Sequence, residues 1–188
     1  MAAPPITYVR HAMAVQTDGV HPTEWHLDAA ARADAARMAT LLEVAPTVGC
    51  LVSSTEPKAV ETAEAIAEHW DVALVPDDGL REAVRPWIGP GYRAVVHRYL
   101  RGELPEGWEP HGDVEARMAA SIGAATELAA GRPIVVVSHG LSLSLHLGDR
   151  LGPDFDREWF WSSLAFPDAW ALDATGTLHR PAASARSV

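Results

Sequence analysis

The chain has 188 residues, 48% hydrophobic and 21% charged, with a formal net charge of -10 at neutral pH. That size suits one domain able to bury its own core, and the acidic balance argues against nucleic acid or an anionic membrane surface as a partner, since both need a basic footprint. Cys50, the only cysteine, excludes an intrachain disulfide and reads as a small buried hydrophobe within VGCLV; with no secretory pattern in MAAPPITYV and no apolar run long enough to span a membrane, the expected location is the cytoplasm.

The first element is a strand, Ile6 to Val9, whose β-branched and aromatic residues suit a buried sheet and which runs directly into Arg10-His11. A polar surface loop from Met13 to His26 follows. From Leu27 to about Val44 the pattern is helical, with Ala31, Ala35, Met38 and Leu42 on one face, and Pro46 ends it. A second strand, Val48 to Val52, enters SSTEP, where Ser53 and Ser54 read as caps and Pro57 is tolerated in the first turn of a helix continuing to about Trp70. Ala59, Ala63, Ile66, Ala67 and Trp70 make one Ala-rich stripe of that helix, suited to close packing on a sheet. Val72 to Val75 is a short strand, and PDDG turns the chain into Leu80-Arg81-Glu82.

Regular patterning then stops. Residues 83–112 are punctuated by proline and glycine, leave room for one short helix around Tyr92 to Arg101, and read as a substrate-facing insertion or lid. Helical spacing returns from Glu115 to Ala130. Ile134 to Val137, four consecutive apolar and mostly β-branched residues, reads as a strand covered on both faces. A helix from about Ser142 to Leu151 comes next, then an edge hairpin of Ala169 to Leu172 and Thr177 to His179, then a frayed tail over 181–188.

Strands alternating with helices imply an α/β three-layer sandwich with a mainly parallel central sheet, in one domain over 1–180. Ligands of such folds gather beyond the carboxyl ends of the strands, where Arg10-His11 and Ser138-His139 both fall. The helix start near Thr55 lies at the same edge and favours an anion. Lys58 in its first turn opposes the helix dipole, which makes sense if a bound anion offsets both.

These residues resemble the histidine phosphatase superfamily, also called the phosphoglycerate mutase-like family. The resemblance rests on RHA at Arg10 to Ala12, STEPKAVETA at Ser54 to Ala63, LRE at Leu80 to Glu82 and SHG at Ser138 to Gly140, in the family's order and over most of the chain. It implies that His11 is the nucleophile of a phosphohistidine intermediate that water then releases. Arg10, Lys58 and His139 would clamp the phosphoryl oxygens. Glu82 would be general acid and then base, a role that calls for a carboxyl protonated more readily than usual. No metal and no other cofactor are implied, and the partner is a small-molecule phosphoester.

Two departures stand out. Ala12 replaces the usual glycine, restricting the backbone and adding a methyl beside the phosphate; Lys58 replaces the usual arginine, exchanging a two-pronged donor for a point charge. The leading function is a metal-independent phosphomonoesterase. A phosphomutase would need further basic residues, for which Arg85, Arg93, Arg98 and Arg101 are candidates, and a non-catalytic phospholigand-binding module is the reading from outside enzymology. Trp87 and Trp108 are the tryptophans placed to touch a ligand, while the run Trp159-Phe160-Trp161 suits either the core or a partner, leaving the oligomeric state open.

Overall fold

A computed structural model describes residues 4–42 and 47–181. Six strands form one sheet, β1 Ile6–Arg10, β2 Cys50–Ser53, β3 Leu74–Pro76, β4 Ile134–Ser138, β5 Asp168–Leu172 and β6 Leu178–His179, in the order β3-β2-β4-β1-β5-β6. The four on the β3 side run parallel and the C-terminal hairpin is antiparallel. The expected edge hairpin is present: β5 pairs with β1 along its length and with β6, which forms the edge.

The layers follow from alternation along each strand. Ile6, Tyr8, Val52, Ile134 and Val136 face a large core shared with α3 Tyr92–Leu100, α4 His111–Ala129, α5 Gly140–Leu151 and α6 Arg157–Ser163. Val9, Leu51, Val135 and Val137 face the other side, covered by α1 Ala29–Leu41 and α2 Pro57–Trp70. The Ala59, Ala63 and Ile66 stripe of α2 is fully buried there, as its spacing predicts. β4 is buried along its whole length between β2 and β1, with helices on both faces, as its run of apolar residues predicts.

Boundaries shift for local reasons. α1 starts behind Asp28, whose side chain accepts the Ala31 N–H; its expected end at Val44 and Pro46 lies outside the described residues, as do residues 182–188 of the tail. α2 has Glu56, not a serine, at its N-cap, with Ser54 accepting the Glu56 N–H one step earlier. α4 begins at His111, four residues before the periodicity, because Pro110 opens it. The run Trp159-Phe160-Trp161 is part of a short helix capped by Asp156, with Phe160 in the core.

Register is what builds the site. β1 and β4 pair from Ile6 opposite Ile134 to Arg10 opposite Ser138, so His11 and His139 leave the sheet at one level. Ser53 lies opposite both Val137 and Pro76, which brings the SSTEP turn and the entry to LRE to the same edge. Backbone bonds past the strands tie the ends together: His11 N–H donates to Ser138 at 3.1 Å, Ser54 to Val137 at 2.9 Å and Asp77 to Ser53 at 2.7 Å.

Candidate active site

His11 is buried, and its Nδ1 lies 2.6 Å from the carbonyl of Ala12. A carbonyl only accepts, so Nδ1 carries the proton and Nε2 keeps its lone pair. Burial, with His139, Lys58 and Arg10 nearby, pushes the imidazole well below its ordinary range and keeps it neutral. Ala12 needs no left-handed backbone, its N–H donates to Thr62 Oγ1 at 2.9 Å, and its side chain packs among Ala14, Leu27, Ala31, Ala35 and Ala65. The methyl expected beside the phosphate is thus absorbed into a small apolar cluster.

Arg10 donates from Nη1 to the Leu164 carbonyl at 2.9 Å and lies over the Phe166 ring at 3.4 Å, while its buried Nε has no partner. Burial lowers it to about 10, still cationic at neutral pH. Gly140 gives room to the Trp161 indole beside it, since a Cβ there would sit 3.1 Å from the indole nitrogen. Lys58 is not a surface lysine: it is buried, donates to the Pro22 carbonyl at 2.7 Å and pairs with Glu56.

His139 is fully buried at the N-cap of α5, its ring 5.0 Å from that of His11. It does not line the cleft surface as Arg10, His11, Lys58 and Glu82 do; it stands behind them. Its Nε2 meets Ser54 Oγ at 2.8 Å. Its buried Nδ1 has no partner. Burial and then Lys58 keep this histidine neutral as well. Arg10 Nε is a buried cationic donor left without a partner at the cleft, which suits an anion.

Glu82 accepts four hydrogen bonds, from the backbone of Ala83, Leu141 and Ser142 and from Ser142 Oγ, so it seals the exposed N–H groups at the start of α5. Ser142 Oγ also donates to the Arg81 carbonyl, and Ser138 Oγ to that of Leu80, both at 2.7 Å, stitching LRE to SHG. Burial pushes the Glu82 carboxyl up, but Arg85, His139 and the Ser142 N–H outweigh it and hold the group below the usual range. That is opposite to the direction an acid requires in the ligand-free site.

Above this floor lies a cleft of about 250 Å³. Trp87 lines it, as expected, together with Met13, Trp25, Tyr92, Trp161 and Phe166. Trp108 does not: it is buried against Tyr99, at 4.7 Å between ring centres, and supports Tyr92 from beneath at 6.2 Å. Of the insertion arginines, Arg85 lines the cleft, donating to Tyr92 Oη at 2.7 Å and the Ala83 carbonyl at 2.8 Å, whereas Arg98 and Arg101 pair with Glu103 and Glu158. Sequence reasoning missed Glu56, which lines the floor, and Phe166 and Trp161, which arrive from beyond the matched motifs. One signal for the Glu56 pair was available: Lys58 is the only lysine in the chain.

The histidine phosphatase superfamily (branch 1) matches residues 6–163, and the chain belongs to that superfamily. Its neighbours among solved structures, all of the same fold, include proteins described as phosphatases. YhfR of Bacillus stearothermophilus is 21% identical over 98% of each chain, with a TM-score of 0.70. The mycobacterial glucosyl-3-phosphoglycerate phosphatase is 22% identical over 97% of this chain and 100% of that one, TM-score 0.70. Mycobacterial hydrolase 2 is 22% identical over 100% of this chain and 94% of that one, TM-score 0.73. A search of curated protein sequences finds no match. No helix among the described residues is long and apolar enough to cross a membrane.

Proposed function

We propose that this protein is a cytoplasmic, metal-independent phosphomonoesterase that works through a phosphohistidine on His11. The observation that carries the reading is the tautomer: with Nδ1 held by the Ala12 carbonyl, Nε2 is the nucleophile at the floor of a cleft walled by Arg10 and Lys58. The Nε2 lone pair attacks phosphorus, the P–O bond to the leaving oxygen breaks, and the departing alkoxide takes a proton. Water then attacks the phosphohistidine, returning the imidazole and releasing phosphate. Arg10, Lys58 and His139 meet charge on the phosphoryl oxygens, which is where preorganised donors count most. Glu82 is the carboxyl assigned to the leaving group; a bound phosphate dianion beside it favours its protonated form.

Hydrolysis is preferred to a mutase reaction because, of the four arginines that could have held a second phosphate, Arg85 alone lines the cleft, while Arg93 lies over the Trp161 ring and Arg98 and Arg101 pair with glutamates. The aromatic wall above the floor suits a small-molecule phosphoester whose leaving group presents a flat or apolar face.

The deciding experiment is phosphate release from an aryl phosphate with chelator present, for wild type and His11→Ala, with rapid alkaline quench to trap phosphoprotein. Expected are activity that survives the chelator, base-stable phosphoprotein in wild type, and loss of both in the variant. Activity abolished by the chelator, or retained in His11→Ala, overturns the mechanism.

A further inference from the structure

Glu56 is a second floor carboxylate without a task in phosphoryl transfer. It is 7% exposed, occupies the N-cap position of α2 without capping it, and reaches three groups. Oε2 pairs with Lys58 Nζ, Oε1 accepts the Glu82 N–H at 2.8 Å, and Oε1 lies 3.7 Å from His139 Nε2. The ammonium therefore reaches the ligand-free floor already neutralised. A dianion arriving there meets Glu56 and Glu82 as well as Arg10, Lys58 and Arg85, with His11 and His139 neutral.

Lys58 cannot serve the carboxylate and a phosphoryl group equally. If it swings to the ligand, Glu56 is left as a buried carboxylate without its paired ammonium, with Arg85 the remaining cation acting on it, beside new negative charge, which is costly unless the group becomes neutral. Burial opposes protonation of both histidines, which leaves the two floor carboxylates to absorb the change; of these, Glu82 keeps Arg85 beside it, whereas Glu56 is the one that loses its ion-pair partner when Lys58 turns. The use of the chain's single lysine here fits a moving partner, because an ammonium on a flexible stem changes acceptors more freely than a planar guanidinium.

We propose that Glu56 is a proton-coupled counter-ion for Lys58. A tetrahedral dianion takes the Lys58 ammonium as Glu56 takes up one proton, so carboxylate, ammonium, dianion and proton become carboxylic acid and an ammonium–dianion pair. Glu56 is a positioning residue that acts through Lys58 and sets the pH at which the floor accepts a doubly charged phosphoryl group. This rests on the phosphoryl site proposed above.

Sulfate is the probe, since it stays dianionic across the working range and any proton counted belongs to the protein. Calorimetric titration in two buffers of different ionisation enthalpy should give uptake of about one proton per sulfate, with affinity falling as pH rises. Glu56→Gln should bind sulfate without that uptake and with little pH dependence. Unchanged uptake in the variant, or none in wild type, overturns the proposal. Should Glu56→Gln fail to fold, the infrared difference spectrum of Glu82→Gln decides: a protonated-carboxyl stretch on adding sulfate that persists there supports the coupling, whereas its loss assigns the proton to Glu82, and uptake without any such stretch assigns it to an imidazole, either of which overturns it. Absence of sulfate binding even near pH 6 defeats the anion floor itself, whereas binding without linkage defeats only the role of Glu56 and leaves the His11 chemistry to its own test.

Discussion

At the floor of the cleft, His11, Glu82 and Arg10 are each fixed by backbone groups that issue from strand ends, a helix start or the α6 exit. At the rim, Trp25, Trp87 and Tyr92 lean on one another with ring centres 5.4 and 5.3 Å apart, and Trp87 is 41% exposed. One end is held by hydrogen bonds with few alternatives; the other is held by ring contacts that slide at small cost. Reaction chemistry needs the first kind of support, whereas selection of a leaving group tolerates the second.

Acid should separate the two regions most strongly. His11 and His139 are held neutral in the folded floor, while the unfolded chain binds a proton at each below its ordinary value near 6.5. Unfolding therefore takes up protons as pH falls through that value, and stability is full above it and lost below it, by roughly 1.4 kcal/mol per pH unit for each histidine. Buried His146, lowered to about 4 and bonded to Tyr8, adds to the same slope down to that pH. Thermal melts from pH 7 downward should fall steeply from about pH 6.5, and His146→Asn should lessen the slope without removing it. A melting temperature flat to about pH 5 would show that the floor histidines are not held neutral.

Next in size is Glu82→Gln. Loss of general acid catalysis predicts about 10²- to 10⁴-fold lower kcat, largest for alkyl phosphates and smallest for aryl phosphates whose leaving oxygen needs no proton. Equal losses on both substrates would mean that Glu82 serves only to hold the start of α5, which its four hydrogen bonds also allow. Trp108→Ala probes the support beneath the rim: with Trp108 buried against Tyr99, it should cost about 3–5 kcal/mol of stability, measured by denaturant melt, and affect activity only through that loss.

How much of this was legible depends on which forces placed each residue. The β4 strand, the α2 stripe and the order of the motifs could be read because sheet burial and strand-end geometry are written in local patterns, and register alone brings Arg10 opposite Ser138. Glu56 was missed because it sits between a cap and a proline, where a glutamate usually faces water. Trp161 and Phe166 were missed for another reason: they reach the cleft through α6 and the turn after it, by tertiary packing against Arg10 and Gly140 that no sequence period records. Trp87 and Trp108 looked alike in the insertion, and only the fold turns one outward and the other into the core.

Trp87→Ala carries the smallest expected effect and bears most directly on how floor and rim divide the work. The ring touches Trp25 and Tyr92 at the cleft mouth and makes none of the hydrogen bonds that hold His11 or Glu82. An edge-to-face contact of this kind is worth about 0.5–1.5 kcal/mol, so KM for an aryl phosphate should rise roughly two- to tenfold with kcat nearly unchanged, since binding lost equally in ground and transition states leaves kcat alone. For a phosphate ester with a small hydrophilic leaving group KM should barely move. A fall in kcat on both substrates would mean that the rim helps to set the floor, through Tyr92 and its bond to Arg85, which in turn holds Glu82 as an anion. Arg85→Lys would then reproduce the defect, whereas a rim concerned only with the leaving group predicts that Trp87→Ala and Arg85→Lys change different kinetic constants.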